Sequence, residues 1–132
     1  MKINEICIGD KVKITGRRRI YTVTKITGNG YAVLTNRGCL DVGIERIKPI
    51  ALTPYILTEN GFECDNGEVW QTCWKAVGEN GDDDLEVVFK DDGSIQTKFD
   101  VAGMYLSTDR IKYVHQLQHL LRICELDDNL KW

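Results

Sequence analysis

No stretch of this 132-residue chain comes near the roughly 18 consecutive apolar residues of a membrane-spanning helix. The opening MKINEICIGDKVKI follows one Lys with an acid and then alternates. It lacks the unbroken apolar core of a secretory signal, so a cytosolic protein without membrane partners is expected. The five cysteines, Cys7, Cys39, Cys64, Cys73 and Cys124, include no C-x-x-C pair and are widely spaced. In a reducing cytosol they are expected as free, mostly buried thiols. A zinc site would have to join His115 and His119 to two distant cysteines, without the usual paired spacing. G-x-S-x-G, P-loop and dinucleotide-binding signatures are absent, as is a recognisable Cys–His spacing. No catalysis, cofactor or resident metal is therefore expected. A cysteine nucleophile activated by His115 is the enzymatic alternative that the residues leave open.

Acids are scarce in the first 50 residues and bases are scarce in the rest. Residues 1–50 hold ten Lys/Arg against four Asp/Glu, a balance of +6. Residues 51–132 hold seven against sixteen, a balance of −9. The net −3 hides both. Such asymmetry points to a polyanion-binding end, or to two parts that neutralise one another.

Residues 6–50 alternate and turn as an antiparallel meander. Val12 and Ile14 share a face, and Arg19–Ile26 is rich in β-branched and aromatic residues. Turns fall at Gly28-Asn29-Gly30 and Asn36-Arg37-Gly38, and Cys39–Val42 is a fourth strand. Ile44–Ile47 is short enough for one helical turn, and Pro49 marks an edge or exit. Five short strands with one helical turn before the last describe a small barrel, and "IGDKVKI…YTVTKI…YAVL" resembles SH3-like, KOW and Tudor-type barrels. Barrels of this kind bind nucleic acids, peptides or only their own neighbours. Arg17, Arg18 and Arg19 fall in its first long loop, where crowded guanidinium groups suit bidentate anions. Lys11, Lys13 and Lys25 can extend that patch, and Tyr21 and Tyr31 are either stacking platforms or core. A merely solvated basic loop is the competing reading.

Residues 51–132 begin with a short helix: Thr53 caps it, Pro54 opens it, and Gly61 stops it before Phe62. A β-meander over residues 62–106 follows, with Lys90-Asp91-Asp92-Gly93 as a hairpin turn and Trp70, Thr72 and Trp74 on one face. Residues 79–84 read as an acidic solvated loop, with weak divalent-ion binding as the alternative; their spacing is not that of an EF-hand. A closing helix over residues 109–124 puts Val114, Leu117, Leu121 and Cys124 on an apolar stripe. Lys112, His115, His119 and Arg122 fall on the other side, as a candidate anion surface that protonation would strengthen. Leu130 and Trp132 in the polar tail are candidates for docking on the domain or on another copy.

Lys48-Pro49-Ile50-Ala51-Leu52-Thr53, Leu57, Asn60-Gly61-Phe62 and Tyr113-Val114-His115-Gln116-Leu117-Gln118 form a set. That set resembles small uncharacterised proteins of phages and prophages of gut bacteria, which read "PI.LT…L..NGF" and then "VH.LQ". The resemblance implies a bacterial or phage cytosolic accessory protein, with host-defence antagonism among its roles. It singles out His115, and His119 is not part of it.

The expected architecture is α+β and mainly β. An SH3-like barrel (residues 1–50) precedes a small antiparallel sheet packed with two helices (residues 51–132). The expected function is binding of a nucleic acid or nucleotide. The alternative is a protein-interaction or inhibitor module, homo-oligomeric or aimed at a host protein, with the acidic half as a DNA mimic.

Overall fold

The computed structural model describes residues 2, 5–66, 70–77, 83–101, 104–124, 126 and 130. Of the segment 79–84 expected as an acidic loop, residues 79–82 lie outside them, and Asp83 and Asp84 open a strand instead; the tail at 127–129 and Trp132 also lie outside. The fold is α+β and mainly β, with two five-stranded antiparallel sheets and two helices. No helix among the described residues is long and apolar enough to cross a membrane. The chain divides into two compact units. One is Met1–Ala51 with Tyr113–Gln118; the other is Leu52–Lys112 with His119–Trp132.

The N-terminal sheet comprises β1 (Lys11–Ile14), β2 (Tyr21–Ile26), β3 (Tyr31–Thr35), β4 (Cys39–Gly43) and β5 (Ile47–Lys48), in the order β4-β3-β2-β1-β5. A single 3-10 turn, Ile44–Arg46, precedes β5. The strand succession is that of the expected barrel, but the barrel is not closed. Strands β4 and β5 end the sheet, and no pairing joins them among the described residues. Strand β5 is two residues long, and Pro49 follows it with no N–H to continue a ladder. The alternation does set the core: Val12, Ile14, Tyr21, Val23, Ala32, Leu34, Val42 and Ile47 point inward and are buried. Thr24 is an extra residue between the pairs Val23–Leu34 and Lys25–Val33, a bulge that adds twist and curls the sheet.

Residues 113–118 complete this unit. Gln118 is fully buried, its Oε1 accepting from the Lys11 N–H at 2.9 Å and its Nε2 donating to the Gly9 carbonyl at 3.1 Å. One amide thereby satisfies two backbone groups at the entry to β1, where an unpaired buried group would be costly.

In the second unit, α1 (Pro54–Glu59) starts and stops by local chemistry. The Ile56 N–H donates to the Thr53 hydroxyl at 3.3 Å, and the Phe62 N–H returns to the Leu57 carbonyl at 3.0 Å across Gly61 at φ +85. Strands β6 (Glu63–Asn66), β7 (Gln71–Val77), β8 (Asp83–Phe89), β9 (Ile95–Val101) and β10 (Met104–Thr108) meander in sequence order. Helix α1 packs on β6 and β7. At the β8–β9 turn Asp92 accepts from the Ser94 N–H at 2.9 Å and its hydroxyl at 2.6 Å. Those bonds hold the Asp92 carboxyl below its ordinary pKa.

Two expectations need correction. The last helix, α2 (Val114–Ile123), begins five residues later than the periodicity implied. Ala51 and Tyr113 instead form a β-bridge, and the Val114 N–H donates to the Ile50 carbonyl at 2.9 Å, so the helix starts only past this pairing. The cysteines are not all free thiols: Cys64 and Cys73 are disulfide-bonded as direct register partners on β6 and β7. Nor are the rest mostly buried, since Cys7 and Cys39 are exposed and Cys124 is half-buried. Burial pushes the Cys124 thiol pKa up.

Candidate functional site

Strand alternation turns Lys11 and Lys13 outward from β1 while Val12 and Ile14 enter the core. On β5, Ile47 points in and Lys48 points out. The β1–β5 register makes Lys13 and Lys48 direct partners, both exposed. Side chains in such a pair leave the sheet about 5 Å apart, and like charges directly opposite destabilise a ladder by up to about 1 kcal/mol. Lys11 lies one pleat along the same face, and its Nζ donates to the Thr22 hydroxyl at 2.7 Å. Thr22 faces Thr35 across β2 and β3, and Thr24 bonds Thr35 at 3.2 Å, which makes this outer face hydroxyl-lined beyond the lysines.

The chain leaves β1 through a tight turn. The Arg17 N–H donates to the Ile14 carbonyl at 3.0 Å, and Gly16 takes φ +80, a conformation that glycine adopts without steric cost. Arg17, Arg18 and Arg19 follow, all exposed. Arg17 touches the Tyr21 hydroxyl at 3.5 Å. The Asn36 side-chain amide donates to the Ile20 carbonyl at 2.7 Å, tying the β3–β4 turn to the end of the arginine loop. The tip of that turn is Arg37, at φ +57. A non-glycine residue in the left-handed region costs roughly 1 kcal/mol, which Gly at that position would avoid. Arg37 is exposed at this tip, one residue from the Asn36 tie to the loop. On the other side, the Thr15 N–H and hydroxyl both bond the Arg46 carbonyl, at 2.9 and 3.1 Å, bringing Arg46 next to the exit of β1.

The structure thus joins Lys11, Lys13 and the Arg17–Arg19 loop of the expected site. It adds Lys48, Arg37 and Arg46, which reach the site only through strand register and turn contacts. Lys25 is exposed past the Thr24 bulge, on the far part of β2. Of the two tyrosines, Tyr21 belongs to the core and Tyr31 is open to solvent at the opposite end of β3 from Thr35.

The four residues expected on one helical face do not form an open stripe. Lys112 precedes α2 and is exposed. His115 is buried and stacks on Tyr113, with ring centroids 5.8 Å apart. His119 and Arg122 are half-buried. The "VH.LQ" pattern has a packing explanation, because Val114, His115, Leu117 and Gln118 are all buried.

Comparison with family models, with curated proteins and with solved structures returned no match.

Proposed function

We propose that this protein binds a nucleic acid through the basic outer face and arginine loop of its N-terminal unit, as a binding module rather than an enzyme. The observation that carries the reading is the exposed Lys13–Lys48 pair, directly opposed in register. A fold that keeps such a repulsive contact gains from it when an anion bridges the two ammonium groups. The flanking guanidinium groups extend the positive surface along β1 and its exit loop, which suits a run of phosphates. A phage or prophage accessory protein, as the "PI.LT…NGF" and "VH.LQ" resemblance implies, has nucleic acid within reach.

The test is fluorescence anisotropy of labelled single-stranded and duplex oligonucleotides across a salt series. Six contacts, from Lys11, Lys13, Lys48, Arg17, Arg18 and Arg19, correspond to a log–log salt slope of about −5 on duplex and about −4 on a single strand. Charge reversal at Arg17, Arg18 and Arg19 is expected to abolish most of the binding at low salt. Binding that ignores both salt and these substitutions refutes the reading.

A further inference from the structure

The second sheet carries a surface of the opposite character. Cross-strand registers place Asp84, Asp100 and Tyr105 in one row over β8, β9 and β10. Trp74, Glu86 and Lys98 form the next row on the same face, over β7, β8 and β9. Asp84 and Asp100 are direct partners, a like-charge opposition that mirrors the lysine pair of the other unit. A shallow recess of about 170 Å³ opens here, lined by Asp84, Glu86, Asp100, Lys98, Phe99 and Tyr105. Three carboxylates thus meet one ammonium group in the recess. Tyr105, in its lining, is 66% exposed, and Trp74, the register partner of Glu86, is 39% exposed.

Among the described residues, strand β10 ends the sheet. It contains no Lys and no Pro, the residues that commonly guard such an edge. Tyr105 and Leu106 point to opposite faces, yet both are exposed, so neither face of this strand is covered at that point.

We propose that this face and edge dock an extended, arginine- or lysine-bearing segment of a partner protein. The segment adds alongside β10, and one of its cationic side chains enters the recess between Asp84, Glu86 and Asp100, against the Tyr105 ring. Charge complementarity selects the occupant. A guanidinium there satisfies carboxylates bidentately and stacks on an aromatic ring, whereas an acidic or purely apolar segment leaves Asp84 and Asp100 repelling each other. Strand addition supplies the backbone contacts, and the recess supplies the discrimination.

The probe is a short fluorescein-labelled peptide of alternating Arg and Thr, titrated against the full chain at physiological salt. The Glu–Thr counterpart serves as the control. Saturable binding of the Arg peptide alone is expected. The double variant Asp84→Asn/Asp100→Asn is expected to weaken it at least tenfold, and Tyr105→Ala about threefold, a ring-stacking loss of modest size. The double variant relieves a repulsion, so its thermal midpoint should not fall; Tyr105 is largely exposed, which keeps the second variant folded. Asp41→Asn, at an exposed acid of the N-terminal unit, is expected to leave binding unchanged. Three results overturn the proposal: no binding, equal binding by Asp84→Asn/Asp100→Asn, or an equal loss in Asp41→Asn. So does low-salt self-association of the chain that disappears in R17E/R18E/R19E, because the face would then serve a second copy's arginine loop.

Discussion

Lys13→Glu separates what the fold wants from what the binding surface wants. In the structure Lys13 faces Lys48 across β1 and β5 with both side chains exposed. Directly opposed like charges cost about 0.2–1 kcal/mol, and an opposite-charge pair returns a similar amount. Solvent screening at an exposed site reduces the combined gain to about 0.5 kcal/mol. For a domain of this size that corresponds to a rise of about 2–4 °C in thermal midpoint. On the proposed nucleic-acid surface, the same substitution removes one of the six phosphate contacts and places a carboxylate beside the rest. The salt slope for duplex should become shallower by about 1, and low-salt affinity should fall about tenfold or more. Circular-dichroism melts at low and high salt read the first effect, and the stabilisation should shrink at high salt. Anisotropy on the same preparations reads the second. A variant that melts lower than the parent, or binds nucleic acid as well as the parent, refutes the reasoning.

Other outcomes follow from the packing. Gln118→Leu strands the Lys11 N–H and the Gly9 carbonyl, and should cost about 2–4 kcal/mol in denaturant unfolding, with loss of the N-terminal unit's exchange protection. Thr97 is buried, and its hydroxyl has no hydrogen-bond partner among the described residues, so Thr97→Val should raise stability by about 1 kcal/mol. Thiol titration of the oxidised, unfolded chain should find three groups, Cys7, Cys39 and Cys124, and five after reduction. Cys64 and Cys73 are nine residues apart, and removing their bond should cost about 3 kcal/mol in the loop-entropy account. The Asp92 carboxyl titrates below its ordinary value, first because of the Ser94 side-chain bond. The stability it contributes is therefore present above the unfolded carboxylate pKa and is lost as the pH falls through the lowered one. Ser94→Ala should move the Asp92 titration, followed by NMR, back upward.

What could be read from the residues was what local chemistry decides. The Thr53 cap, Pro54 and Gly61 fix α1 without help from the rest of the chain. Alternation put Val12 and Ile14 on one face of β1, and the Lys90–Gly93 turn gave the β8–β9 hairpin. The failures depend on contacts far apart in sequence. Helix α2 starts late because Tyr113 bridges Ala51, and His115 is buried rather than displayed. The disulfide depends on a register between β6 and β7 that spacing alone does not set. For the candidate site, the arginine loop was visible as a charge run. Lys48 joined it only through the β1–β5 register, and Arg37 only through the Asn36 bond to Ile20. Gly61 and Phe62 stop α1 as their local chemistry implied, while Gln118 of "VH.LQ" serves as a buried clamp and His115, which the resemblance singled out, is buried.

The central claim is that the nucleic-acid surface is the outer face of β1 and β5 with the adjoining arginine loop. The most direct measurement is a two-dimensional amide NMR titration of the full chain with a short single-stranded oligonucleotide. Shifts concentrated at residues 11–19, 37 and 46–48 are the expected result, with residues 83–101 unmoved. No shifts, or shifts centred on the second sheet, would contradict the claim.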